Sequence, residues 1–230
     1  MVVTTRQKHQ LQPLKVNLSI NNTDIKQVDN HCLLGVTVDS QLKWQSHVES
    51  IGKKVSKNLY QLSKLKFITS PEVRKTYYNA HIKSRFDYCS TVWDGASDVH
   101  LKKLSSLQRR AAKIILPDPK LTTDEKLEKL DILPLSTQFL FNKGVLMHKI
   151  IKESVPQYVS QLFEKNENKS SRSTSIFRTR RPRIDLYKTS LSYSGSTLWN
   201  SLPTKLSSLF SHNTFKKDFH SYLMKQTRPP

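Results

Sequence analysis

Cysteine, glycine and acidic side chains are all scarce in this chain of 230 residues, and each shortage removes a class of function. The two cysteines, Cys32 and Cys89, are far apart and form no C-x-x-C pair. They exclude a disulfide framework and a thiolate zinc site, and both are expected as small buried hydrophobes in a reducing compartment. Five glycines supply no Gly-rich phosphate loop, and neither G-x-S-x-G nor H-E-x-x-H occurs. No apolar run approaches the roughly 18 residues of a membrane span. The opening MVVTTRQKHQ lacks the apolar stretch of a secretion signal. These features predict an intracellular protein, nuclear or cytoplasmic and not secreted, with no membrane partner.

Asp and Glu total 18, and none are paired at a spacing suited to two metal ions. Asp24 and Asp29 flank a turn. Asp94 and Asp98 sit near a helix start, where capping is the ordinary role. His31 and Cys32 are expected as a core pair on a strand, and His81 as a core or solvated ring. A Ser-His-Asp triad is assembled across a fold rather than along a sequence, and nothing here favours one. The expectation is a chain that is not an enzyme on its own and takes no metal or cofactor.

Positive charge is abundant. Lys and Arg total 38, giving a net charge of +20. The excess runs through both halves, so it is not a basic tail. Such a surplus repels itself in the compact state and attracts polyanions. Nucleic acid is the partner it fits best, because each cation placed at a phosphate releases a condensed counterion.

Hydrophobic residues make up 36%, a low share but a periodic one. Ten prolines against five glycines suggest helices joined by Pro-marked corners. Leu14, Val16, Leu18 and Ile20 alternate. The runs 25–28 and 32–38 add to a small sheet of roughly three strands, with Gly35 as a bulge or close approach. Val2 and Val3 open the chain as though inside a strand, which suggests part of a longer protein.

Ser46 and Glu49 then form a capping box. Val48, Ile51, Val55, Leu59, Leu62 and Leu65 recur at helical spacing behind it. Ser70-Pro71 opens a second helix with Val73, Tyr77 and Ala80 inward. Ser97 caps a third, with Leu101, Leu104, Leu107, Ala111, Ile114 and Ile115 inward. Thr122 and Glu125 make another capping box. Residues 135–151 form a strongly apolar helix and 156–163 a short one. Residues 164–183 are polar and basic, a linker or exposed loop. Residues 184–193 are expected extended, Trp199 lies in an apolar knot, and Asn213 caps a last helix with Phe215, Phe219, Tyr222 and Leu223 inward. The fold class is α+β, mainly α: a small N-terminal antiparallel sheet (1–44), a helical bundle (45–163), the basic linker (164–183), and a helical or irregular C-terminal region (184–230).

Three basic runs are candidate phosphate contacts: Lys53, Lys54, Lys57 and Lys64; Arg109, Arg110 and Lys113; and Arg178, Arg180, Arg181 and Arg183. Singly, each would pass as a solvated surface. Together, at this net charge, they point to a sugar–phosphate backbone. Trp44 and Tyr60 are aromatics that could stack on bases, with core packing the expected role of both.

Several motifs carry a family likeness. The segment CLLGVTVDSQLKWQSHVESIGKKVSKNLYQLSKLK (32–66) resembles the region after the catalytic palm in reverse transcriptases of non-LTR (LINE-type, jockey/CR1-like) retrotransposons. Leu34, Gly35, Val36, Asp39, Leu42 and Trp44 fit the family's Y-L-G-V-x-x-D-x-x-L-x-W run, and Leu33 replaces its aromatic. YYNAHIKSRFDYCSTVWDG (77–95), LQRRAAKIIL (107–116), VPQYVSQLF (155–163), SYSGSTLWNSLP (192–203) and TFKKDFHSYL (214–223) resemble later parts of the same polyprotein. The resemblance implies the end of a palm, a thumb and a tail of an RNA-directed DNA polymerase. It places Gly35, Val36 and Asp39 near a primer terminus as a primer grip, and the basic helix 46–66 along RNA, DNA or a hybrid duplex. The family's metal-binding Asp and its F/Y-A-D-D pair do not occur here, so a palm supplied in trans is a partner the resemblance allows. The alternatives are a protein-interaction or scaffold domain, with apolar surfaces binding a partner, and a non-functional pseudogene product.

Overall fold

A computed structural model describes residues 1–3, 16–166 and 176–227. Leu14, the first member of the alternating run, lies outside the described residues, whereas Val16, Leu18 and Ile20 are described. The described chain is mainly helical, with small antiparallel strand pairs near its N-terminus, as expected.

Those strands do not form one three-stranded sheet. They are two separate hairpins: β1 (Leu18–Ile20) with β2 (Thr23–Ile25), and β3 (Asn30–Leu33) with β4 (Val36–Asp39). Each has a two-residue turn in which both residues have positive φ, Asn21-Asn22 in one and Leu34-Gly35 in the other. This turn matches the twist of paired strands, so the run 32–38 folds back on itself. Gly35, at φ 80°, is therefore a turn residue and not a bulge. Every residue of β1 and β2 is exposed, and the alternation there buries nothing. His31 and Cys32 on β3 are exposed too, as is Cys89, which corrects their expected burial.

Helix α1 (Gln45–Leu65) buries Val48, Ile51, Val55, Leu59 and Leu62 as the periodicity requires. The expected Ser46 cap is not formed. The Asp39 carboxylate instead accepts the backbone N–H groups of Gln41, Lys43 and Trp44 at 3.0, 3.0 and 2.7 Å. The loop is thereby ordered from outside the helix, which starts one residue before Ser46.

Helix α2 (Pro71–Tyr78) continues through a π-helical turn (Asn79–Lys83) into α3 (Ser84–Asp87). Its buried residues are Arg74, Tyr78, Ile82 and Phe86, whereas Val73 and Ala80 are exposed and Tyr77 half-buried. A strict spacing of four over-rotates in an α-helix of about 3.6 residues per turn. The wider π turn takes that rotation back and keeps all four side chains on one side. After α4 (Ser90–Trp93) come α5 (Asp98–Ile115), α6 (Thr123–Lys129, with the expected capping box) and α7 (Leu135–Ile151). Helix α8 is Gln157–Ser160.

Beyond residue 183 the chain is helical where extension was expected. Helix α9 (Asp185–Thr189) leads to α10 (Leu191–Ser201), started by the Ser190 hydroxyl, which accepts the Tyr193 N–H. Helices α11 (Thr204–Ser207) and α12 (His212–Gln226) follow; Ser211, not Asn213, caps α12.

Two hydrophobic cores result, and α7 runs through both. Its Leu135 and Phe139 join the first, with α1, Trp93, Leu104 and Ile115. Its Met147 and Ile150 join the second, with Phe163, Phe177, Trp199, Phe215 and Phe219. Glycine notches admit the C-terminal helices: a Cβ on Gly144 would meet the Phe219 ring at 2.3 Å, and one on Gly195 the Met147 sulfur at 2.7 Å. Asp94 caps no helix start; it follows the end of α4. It forms a buried ion pair with Lys143 at 2.7 Å, and Lys143 also donates to the Ser194 hydroxyl at 2.9 Å. Burial pushes the Asp94 carboxyl above its ordinary range, against the pull of the Lys143 ammonium. The segment expected as a loose linker is anchored where it is described. Phe177 is buried, and the Asn200 side chain accepts from the N–H groups of Ile176 and Phe177 and donates to the Phe177 carbonyl.

Candidate nucleic-acid interface

The apolar stripe of α1 leaves its opposite face to solvent. Lys53, Lys57, Tyr60 and Lys64 recur there at i, i+4, i+7 and i+11, so they form one strip, and all are exposed. No acidic residue lies between 50 and 66. Among the described residues no ion pair engages the lysines of α1. Lys54 sits off the strip. It lines a cleft of about 280 Å³ with Gly35, His47, Arg85 and Tyr88. Burial, with the nearby Lys54 charge, holds the His47 imidazole below its ordinary value.

Helix α5 packs beside α1. Leu104 and Leu107 lie 3.8 and 3.9 Å from where a Cβ on Gly52 would stand. Lys103 and Arg110 fall one turn either side of Leu107 and so border the α1–α5 seam, and Lys113 is also exposed. No acidic residue lies between 99 and 117. The first two basic runs thus ride on adjacent, packed helices. Arg109 turns away from α1 and pairs with Asp124 at 2.8 Å. Both partners are about half exposed (53% and 51%), so the pair is a weak tether in solvent.

The third run lies on a different part of the fold. Arg178, Arg180, Arg181 and Arg183 are exposed, and Arg180 is paired with Glu164. Arg183 faces a larger cavity of about 780 Å³ with Lys43, His100 and Leu186. The structure therefore joins runs one and two but not run three.

Of the three residues placed at a primer grip, Gly35 is exposed at its turn, Val36 is 7% exposed within the first core, and the Asp39 carboxylate is occupied by backbone N–H groups. Trp44 packs in the core as expected, at 8% exposure. Tyr60 does not; it is 64% exposed, with the Lys64 ammonium 5.3 Å from its ring centroid. The signal was present in the spacing, since position 60 falls on the Lys53 strip and off the Leu59–Leu62 stripe. Phe67, 84% exposed, and the Lys66 beside it were not singled out at all.

No family model, no curated protein and no solved structure matches this chain. Among the described residues, no helix is long and apolar enough to cross a membrane, and no three His, Cys, Asp or Glu side chains are grouped to hold a metal ion.

Proposed function

We propose that this chain corresponds to the end of the palm, the thumb and the tail of a non-LTR retrotransposon reverse transcriptase, and that it binds nucleic acid without sequence preference. The observation that carries the reading is the strip Lys53, Lys57 and Lys64 on a long, well-packed helix, with Lys103, Arg110 and Lys113 on the helix beside it. A rigid helix holds cations at fixed intervals, and phosphate contacts of this kind supply affinity and register rather than base choice. The motif resemblance supports the assignment to the polymerase family. The reading includes no nucleotide transfer by this chain alone, because its sequence supplies no carboxylate pair to hold two metal ions. Nucleotide incorporation by the purified chain with Mg²⁺ would overturn that part.

Binding to a labelled RNA–DNA hybrid tests the whole. Affinity should fall steeply with salt, with a log–log slope on the order of five if about six phosphates are neutralised. Reversing Lys53, Lys57 and Lys64 to Glu should flatten that slope. An unchanged slope removes the assigned face.

One observation favours a second reading, a protein-interaction surface. The hairpins expose Leu18, Ile20, Ile25, Leu33 and Leu34, the last at 83%. Side chains of this size left in water on short strands suit a covering partner, and a palm supplied in trans is the partner the resemblance implies.

A further inference from the structure

We infer that the outer face of α1 and the corner that follows it form a stacking platform for unpaired nucleotides. Bases would lie on the Tyr60 and Phe67 rings, and phosphates on Lys53, Lys57, Lys64 and Lys66. The inference rests on the nucleic-acid reading above and narrows it from any backbone to single strands.

Large aromatic side chains are normally buried, and on this chain the rings of Trp93, Trp199, Tyr78 and Phe86 are. Tyr60 and Phe67 are 64% and 84% exposed, seven positions apart, on a stretch (53–67) that carries five lysines and no acidic residue. Each has a lysine ammonium against its ring, at 5.3 Å for Lys64 on Tyr60 and 5.6 Å for Lys66 on Phe67. From Lys53 to Lys64 the strip is about 16 Å long at 1.5 Å per residue, room for a few nucleotides of extended strand. A duplex hides the faces of its bases and offers only phosphates. An unpaired strand offers π-faces as well, and a ring interleaved with cations engages both at once. Every base has such a face, so the platform discriminates strandedness without reading sequence. Phe210 provides an internal contrast. It is 83% exposed under the Lys152 ammonium at 4.3 Å, but it lies after α11, remote in sequence from the lysine strip of α1.

The test compares the full chain binding to a labelled oligothymidylate and to a blunt RNA–DNA hybrid of equal length, by fluorescence anisotropy. Tyr60→Ala with Phe67→Ala should weaken oligothymidylate binding about ten- to a hundred-fold. Hybrid affinity and both salt slopes should be unchanged. Tyr60→Phe should retain single-strand affinity, and Phe210→Ala should alter neither. All these side chains are exposed, so circular dichroism should show each variant folded. Equal losses on both substrates, or no loss on the single strand, overturn the platform, while the nucleic-acid reading stands as long as the wild-type chain binds the hybrid. A wild-type chain that binds neither substrate overturns the platform and the nucleic-acid reading together.

Discussion

The two cores of this protein are built in different ways. The first is mainly aliphatic and is built on the long helices α1 and α5 lying side by side, with Val55, Leu59, Leu62, Ile82 and Leu104 buried alongside rings such as Trp93 and Phe86. The second is half aromatic and made by several separate C-terminal segments, α10 and α12 among them, folded over the end of α7. Phe215 stacks on His148 at 4.5 Å and on Phe219 at 5.3 Å, and lies 5.5 Å from Trp199. Charge divides less sharply, since Lys83 and Arg109 beside the first core pair with Asp87 and Asp124. Cations on α1 stand clear of acidic partners among the described residues. In the C-terminal part, ion pairs join Lys165 to Glu153, Arg180 to Glu164 and Lys188 to Asp185. Long amphipathic helices leave a straight outer face, and a charged polymer can run along it. The comparison teaches that the exposed cationic strip, the proposed binding surface, follows from the way the first core is assembled.

Removing Phe215 should break the second core hardest. The side chain is fully buried against three rings, and Phe215→Ala is expected to cost about 3–5 kcal/mol. Leu62→Ala in the first core should cost about 2–5 kcal/mol. Because α7 passes through both cores and Lys143 ties it to Asp94, either variant should lower a single thermal transition. Calorimetry that shows two transitions, with only one of them shifted by each variant, would make the cores independent units.

The first core is also the one legible from sequence. Its helices repeat aliphatic residues at three and four over 17 to 21 positions, long enough for the pattern to name the buried face. The cationic strip then follows by subtraction. In the second core only the last helix was legible, with Phe215, Phe219 and Leu223 inward as expected; the core's other partners come from remote segments. Phe177 sits in a polar stretch, and helices of four or five residues such as α9 and α11 are too short to show a period. The 184–193 segment is rich in residues that suit strands, and one hydroxyl, that of Ser190, turns part of it into a helix start. The strip's aromatic members were the least legible. Sequence alone makes a tyrosine near Leu59 look like core, and only the helix phase puts it outside.

A smaller effect separates the cores by packing alone. Gly144→Ala improves helix propensity by about 1 kcal/mol. The new methyl would stand 2.3 Å from the Phe219 ring, which is itself fully buried and has nowhere to go. Overpacking should win, with a net loss of about 1–3 kcal/mol by denaturant unfolding. A neutral result would mean that α12 can slide on α7.

Acid should weigh on the second core more than on the first. Burial holds His47, His148 and His212 below the ordinary histidine value, with Lys54 adding to the effect on His47, Lys152 on His148, and Lys149, His148 and Lys216 on His212. The bond from His148 to the Leu209 carbonyl opposes part of that shift. The unfolded chain takes up protons near pH 6.5 while the folded one still resists them, so stability falls as pH drops through about 6.5 and below. Two of the three rings belong to the second core, with their Nδ1 atoms 3.4 Å apart. The thermal midpoint should therefore drop on acidification, and His148→Gln should flatten that drop more than His47→Gln. Equal flattening would erase the distinction between the cores on this axis.

The mildest change has the opposite sign. Gly52 lies in α1 where that helix meets α5, and an added methyl would stand 3.8 Å from Leu104 and 3.9 Å from Leu107, ordinary contact distances. Nothing has to move, so Gly52→Ala should keep the propensity gain and stabilise the chain by about 0.5–1 kcal/mol. The substitution adds no charge and lies off the Lys53 strip, so hybrid binding and its salt slope should be unchanged. Two helix glycines, one in each core, would then respond in opposite directions to the same mutation: one core built with room at its helix contact, the other closed over a notch. Destabilisation by Gly52→Ala would mean that the α1–α5 seam is as tightly interlocked at its glycine as the second core, and the contrast between the two helix contacts would fail with it.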